Sequence, residues 1–148
     1  MKAVVQRVFS ANVQVDGEIV GRVEQGLVVF LGVETEDTHK DLDYICTKIV
    51  GMRIFDDNNE VPNLSVEDIR GSVLLISQFT LCGDTRHGRR PSYIGAAKAD
   101  LAKSLFEKAV ERIGLSVPVA SGRFQANMRV YVENDGPFTI LLESRRNT

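Results

Sequence analysis

Side chains that could carry chemistry fall in a few short segments of this chain. The first is Ser77-Gln78-Phe79-Thr80-Leu81, where the apolar run Val73-Leu74-Leu75-Ile76 ends in Ser, Gln and Thr. Polar groups at such a strand end either line a site where the sheet opens to solvent or satisfy the local backbone. Cys82 follows, five residues before His87, so a Cys–His nucleophile is conceivable. Their Gly- and Arg-rich loop gives no feature that fixes such a geometry. Cys46 sits among apolar residues at helical spacing and reads as core filler. The second segment is Asn134-Asp135-Gly136-Pro137. Pro137 ahead of a strand reads as a plain turn, or as a cis peptide that aims two adjacent carbonyl oxygens one way.

Missing chemistry is also informative. His39 and His87 are the only histidines, and no Cys, His or carboxylate set has metal-ligand spacing, so no metal is expected. No Gly-rich phosphate loop is present, so no nucleotide cofactor is expected. Lys and Arg number 18 against 20 Asp and Glu, a net −2 that speaks against a protein coating a nucleic-acid backbone. The charge is unevenly spread, however. Residues 1–70 carry −6 and residues 71–148 carry +4. Arg86, Arg89 and Arg90 flank His87 and Gly88, with Arg145 and Arg146 near the end. Such a loop is a solvated face or an anion site for phosphate, which the arginine fork suits.

These residues need elements to hold them. Lys2 to Gln6 and Ala11 to Val15 read as short strands, and Asp16-Gly17 as a hairpin turn into Glu18 to Val23. Gly26 to Val33 is continuously apolar, as a strand buried on both faces would be. Leu42, Ile45, Cys46, Ile49 and Val50 mark one helix face, with Gly51 at the place of a left-handed C-terminal residue. Met52 to Phe55 reads as a strand before the turn at Asp56 to Asn59, and Ser72 to Gln78 as another. A second helix carries Leu101, Leu105, Ala109, Val110 and Ile113 and closes at Gly114. Met128 to Val132 and Phe138 to Leu142 read as strands joined by a turn at 134–137. The sum is α+β: a curved, barrel-like, mostly antiparallel sheet with two main helices packed outside, one domain over 1–148. The longest apolar-and-Gly stretch falls short of the roughly 18 residues that signal a membrane span. With no export signal and no CxxC pair, a cytoplasmic protein is expected.

Together the segments resemble the D-aminoacyl-tRNA deacylases. The resemblance rests on Ser77-Gln78-Phe79-Thr80-Leu81, Gly83-Asp84-Thr85-Arg86, Gly88-Arg89-Arg90-Pro91 and Asn134-Asp135-Gly136-Pro137 with Thr139. The opening Met1-Lys2-Ala3-Val4-Val5-Gln6-Arg7-Val8 is similar too, and the likeness runs to about Glu143. It implies a homodimer with a site at each subunit interface, joining the Ser77–Leu81 strand end of one copy to a Gly-cis-Pro turn of the other. It implies hydrolysis of the ester joining a D-amino acid, or mischarged glycine, to the tRNA terminal adenosine, without metal or organic cofactor. Carried over, Ser77, Gln78, Phe79 and Thr80 line the site, with the Phe79 and Thr80 N–H groups toward the reacting carbonyl. Gly136 and Pro137 would present carbonyl oxygens that exclude an L side chain. Phe124 and Met128 match adenosine-pocket positions and Arg7 the residue bracing the Gly-Pro turn; the local charge, read beside that site, makes Arg86, Arg89 and Arg90 the candidates for tRNA phosphate. Gln125 stands where the family commonly has Gly, whereas Ser77 and Phe79 differ from the Pro and Ala of a sister family with a trans Gly-Pro.

Thr80 is the obvious nucleophile, yet the sequence places no His or Lys beside it as a base. The favoured reading is a chiral clamp, in which the RNA 2′-hydroxyl helps position or activate water. Two rivals stand beside it. One is a non-enzymatic RNA-end binder using the Arg86–Arg90 loop and Arg145/Arg146; the other is a hydrolase built on Cys82 and His87.

Overall fold

The computed structural model describes residues 1–145. Arg146 lies outside the described residues. In chain order the elements are β1 Lys2–Val15, β2 Glu18–Val23, β3 Gly26–Gly32, α1 His39–Gly51, β4 Phe55–Asp56, β5 Pro62–Leu64 and β6 Ser72–Ser77. After a tight 3-10 turn at Phe79–Cys82 come α2 Ala99–Gly114, β7 Val119–Ser121 and β8 Arg129–Glu143. The main sheet runs β2-β1-β3-β6-β7, with β8 also paired to β1. Gly21 of β2 stands so near β7 that a Cβ there would lie 2.8 Å from the Ser121 carbonyl oxygen, which leaves the barrel nearly closed. The sheet is mixed: β1 pairs antiparallel with β2, β3 and β8, whereas β3–β6 and β6–β7 are parallel. Each parallel pair needs a long crossover, and α1 and α2 lie within them.

The uninterrupted apolar character of β3 and β6 has a direct cause. Successive side chains of a strand point to opposite faces, and here both faces are covered. Leu27, Val29, Leu31, Val73 and Leu75 pack with Leu42, Ile45 and Ile49 of α1 and Leu105, Phe106 and Ile113 of α2. Val28, Leu74 and Ile76 instead fill the barrel interior with Val8, Ala11, Val13 and Val23. At about 25 cal/mol per Å2 of apolar surface, two-sided burial makes these strands the framework from which the site projects.

Several expectations change. Residues 2–15 form one strand, because Arg7 to Ser10 is a bulged stretch where the register with β8 shifts twice. Before it Ala3 and Val5 face the helix-covered core; after it Ala11 and Val13 face the barrel interior. Residues 129–143 are likewise one strand along β1, and the 134–137 turn is an insertion within it: Asn134 pairs with Val8 and Thr139 with Gln6. Gly51 is the last helical residue and not left-handed, since the chain leaves through Met52 in extended conformation with its N–H on the Lys48 carbonyl at 2.9 Å. The strand expected at Met52–Phe55 shortens to β4, paired with an unforeseen β5, and β7 was also unforeseen.

Arg145 is not free for phosphate. Its guanidinium bonds Asp37, Asp41 and Glu36, beside the buried Met1 ammonium on Glu34, Asp37 and Ser144. Burial alone would raise the Asp41 carboxyl, but bonds from Arg145, the Thr38 N–H and Ser144 hold it well below the usual carboxylate range.

Candidate active site

The parallel partner β3 fixes the end of β6. Leu31 pairs with Ser77, and the Gln78 N–H donates to the Leu31 carbonyl at 2.8 Å. The backbone then turns sharply, the Leu81 N–H returning to the Gln78 carbonyl at 3.2 Å and the Gly83 N–H to the Thr80 carbonyl at 3.1 Å. The Phe79 and Thr80 N–H groups open this turn and make no backbone hydrogen bond among the described residues. Opening N–H groups of a helical turn have no partner inside it, and two together form a place for a developing negative oxygen.

Beside this strand end lies a cavity of about 730 Å3. Ser77, Gln78 and Phe79 form one wall and Phe124 and Met128 another. Phe124 rests against Phe106 of α2, ring centroids 6.3 Å apart, and Phe79 meets Tyr93 edge-on at 5.1 Å. A third wall escaped sequence reading: Ala97, Ala99 and Ala102, at the start of α2. Their signal was a run of small residues where a helix begins. The volume suits a small organic ligand or one nucleoside. Gln125, at the cavity edge, has φ 63°, a left-handed conformation that favours glycine.

Thr80 is exposed, outside the cavity lining, and its hydroxyl accepts from the Gln78 side-chain amide. It has no hydrogen bond to a His, Lys or carboxylate among the described residues. Cys82 is poorly placed as a nucleophile: it is buried, its thiol donates to the Val33 carbonyl, and burial with the nearby Glu34 charge pushes it up to about 11. At neutral pH it is a protonated thiol, and His87 is on the exposed loop. Cys46, also buried, is pushed up to about 12. Among the described residues no group of three or more His, Cys, Asp or Glu converges as metal ligands.

The basic loop is clipped at its base by paired backbone bonds between Asp84 and Ser92. Arg86 lies bidentate on the Asp84 carboxylate, at 2.9 and 2.7 Å, which neutralises it locally. Hydrogen bonds from Arg86 hold the Asp84 carboxyl well below its usual range. Arg89 and Arg90 are exposed and form no ion pair among the described residues. Of the three arginines, only these two keep open forks.

Gly136 and Pro137 do not line the cavity of their own chain. Their peptide bond is cis, both residues are exposed, and Gly136 has φ 123°. Arg7, only 9% exposed, braces the turn. Its Nε donates to the Asp135 carbonyl at 3.3 Å, its NH1 to the Ile54 carbonyl at 2.6 Å, and its guanidinium lies 4.8 Å over the Phe138 ring. The exposed turn is thus held from beneath by a buried cation.

A family model described as D-Tyr-tRNA(Tyr) deacylase matches residues 4–143, and the chain belongs to that family. A D-aminoacyl-tRNA deacylase of Fervidobacterium nodosum is 54% identical over 147 residues, and one of Thermosipho melanesiensis is 52% identical over 148, covering 99% of each chain. The solved structure of a c-Myc DNA Unwinding Element Binding Protein superposes with TM-score 0.94 at 37% identity, over 99% of this chain and 100% of that one. A probable eukaryotic D-amino acid tRNA deacylase shares the fold, with TM-score 0.82 at 17% identity over 95% and 97% of the chains. This chain is therefore an enzyme of the D-aminoacyl-tRNA deacylase class, a hydrolase. Among the described residues no helix is long and apolar enough to cross a membrane.

Proposed function

We propose that the cavity receives the 3′-terminal adenosine of a tRNA carrying a D-amino acid, between Phe124 and Met128, with the ester at the Ser77–Thr80 strand end. Water adds to the ester carbonyl, and the carbonyl oxygen gains negative charge beside the Phe79 and Thr80 N–H groups. The bond to the ribose oxygen then breaks; that oxygen takes a proton, and the amino acid leaves as a carboxylate. Donors aimed at such an oxygen contribute about 2.7–4 kcal/mol each in enzymes where one has been removed. With no base bonded to Thr80, the RNA 2′-hydroxyl is the group that helps position or activate the water.

Chirality is read by Gly136 and Pro137 of a second copy, whose carbonyl oxygens face the substrate amino group and Cα. An L side chain collides with them, a D side chain points to solvent, and glycine, lacking one, is accepted when mischarged. The protein on this reading is a cytoplasmic homodimer, with Arg89 and Arg90 reaching tRNA phosphates. The observation that carries the proposal is the convergence of Ser77, Gln78, Phe79, Phe124 and Met128 on one cavity beside two unpaired N–H groups. Purified protein mixed with D-tyrosyl-tRNA should release free D-tyrosine with turnover. Binding of the tRNA with the ester intact would instead identify an RNA-end binder.

A further inference from the structure

A second hollow of about 510 Å3 adjoins the cavity, and the two share Asn127 and Met128. Asn127 and Met128 form the rim between them, just before the start of β8. Gln14, Asp16, Gly17 and Arg129 complete its lining. Gln14 of β1 and Arg129 of β8 are directly paired residues, so their side chains stand on the same face of the sheet. Asp16 joins them from the β1–β2 turn, at φ 50° with Gly17 at φ 79°. None of the polar side chains Gln14, Asp16, Asn127 and Arg129 makes a hydrogen bond or ion pair among the described residues.

The chemistry of this lining excludes simple ions. A bare phosphate would face the Asp16 carboxylate, and a bare cation would face the Arg129 guanidinium. The set suits a nucleotide that offers both donors and acceptors: a base with an amino group for Asp16, ring acceptors for the Asn127 and Gln14 amides, and a phosphate for Arg129. Cytidine has this pattern, since its N4 amino group donates, typically to Asp or Glu. Every tRNA ends in the sequence CCA, so the nucleotide preceding the terminal adenosine is cytidine.

We propose that this second hollow binds the penultimate cytidine of the tRNA acceptor end, with Asp16 accepting from the base amino group and Arg129 on the adjoining phosphate. The proposal rests on the deacylase reading of the neighbouring cavity. It gives the enzyme a grip on the RNA beyond the single nucleoside that carries the ester.

The test compares two substrates, D-tyrosyl-tRNA and the minimal ester 3′-O-(D-tyrosyl)adenosine. Arg129→Gln and Asp16→Asn should each lower kcat/KM about 10-fold on the tRNA and change it less than about twofold on the minimal ester. Asn also tolerates the left-handed backbone at position 16, so the turn is kept. A tRNA whose penultimate nucleotide is uridine presents an acceptor where cytidine presents a donor. Wild type should lose about 10-fold on it, and Asp16→Asn, whose amide can donate, should regain most of that loss. Equal effects of the variants on both substrates, or equal handling of cytidine and uridine, would overturn the proposal. A wild-type protein that hydrolyses neither ester would instead sink the deacylase reading itself.

Discussion

Arg7 and Asp135 are joined across the sheet: the guanidinium Nε of one lies 3.3 Å from both the main-chain carbonyl oxygen and a carboxylate oxygen of the other. The contact ties β1 to the insertion in β8 that carries Gly136 and Pro137. Because Arg7 also donates to the Ile54 carbonyl from a nearly buried position, the turn is anchored at several points.

Lysine at this position keeps the charge but not the planar fork. Arg7→Lys should therefore lose about 1.5–3 kcal/mol of stability in urea unfolding, the range for hydrogen bonds involving a charged group. Activity on D-tyrosyl-tRNA should fall further than the folded fraction accounts for, because the turn loses its brace. A variant with wild-type stability and turnover would show that the brace is dispensable.

Gly136 is a second point of leverage. At φ 123° an L side chain is strained, and a Cβ would lie 3.0 Å from the Phe138 nitrogen and 3.4 Å from the Arg7 NH2. Gly136→Ala should cost about 1–3 kcal/mol and lower D-ester turnover. Gly51→Ala is the control: its Cβ meets nothing within 4 Å and its backbone is helical. That change should raise stability by about 0.4–1 kcal/mol and leave turnover alone.

Thr80 offers its hydroxyl to Gln78 rather than to a base. Thr80→Ala keeps the backbone N–H of residue 80, so much of the single-turnover rate should survive at saturating enzyme. Loss of nearly all activity with binding intact would make Thr80 the nucleophile.

The terminal ion cluster predicts an acid response. The folded Asp41 carboxyl titrates below its ordinary value of 3.8, so its contribution to stability is present above that value and is lost as pH falls below it. Wild type should lose stability across this acidic window, and Asp41→Asn should show a shallower loss. Urea midpoints measured at a series of pH values would detect the difference; parallel curves would contradict it.

Part of this architecture is legible in sequence. The apolar runs of β3 and β6, the α1 face and the Asp16-Gly17 hairpin are local patterns, and each is where it should be. Arg7 to Ser10 and Asn134 to Pro137 misled because polar residues in a strand look like breaks. Here they form bulges in two long strands that stay paired around them. The parallel partner of β3 and the short β7 depend on crossovers through helices, which no local pattern encodes. Ser77, Gln78 and Phe79 stand out as a polar end to an apolar strand, Phe124 and Met128 only by resemblance, and the fold brings all five to one cavity. The Ala97–Ala102 wall went unseen because small side chains carry no chemical signature. Gln125 is the converse case: its positive φ is a backbone feature that its residue type does not signal. Net charge says nothing of local pairing: Arg86 and Arg145 are taken up by carboxylates, whereas Arg89 and Arg90 form no ion pair among the described residues.

The proposed Gly136–Pro137 filter is stereochemical, and one parallel experiment addresses it: D-tyrosyl-, L-tyrosyl- and glycyl-tRNA offered to the same enzyme, with ester loss followed over time. Such a filter gives rapid hydrolysis of the D-ester, measurable hydrolysis of the glycyl ester, and an L-ester that survives at the same enzyme concentration. Hydrolysis of the L-ester at a rate near that of the D-ester would contradict it.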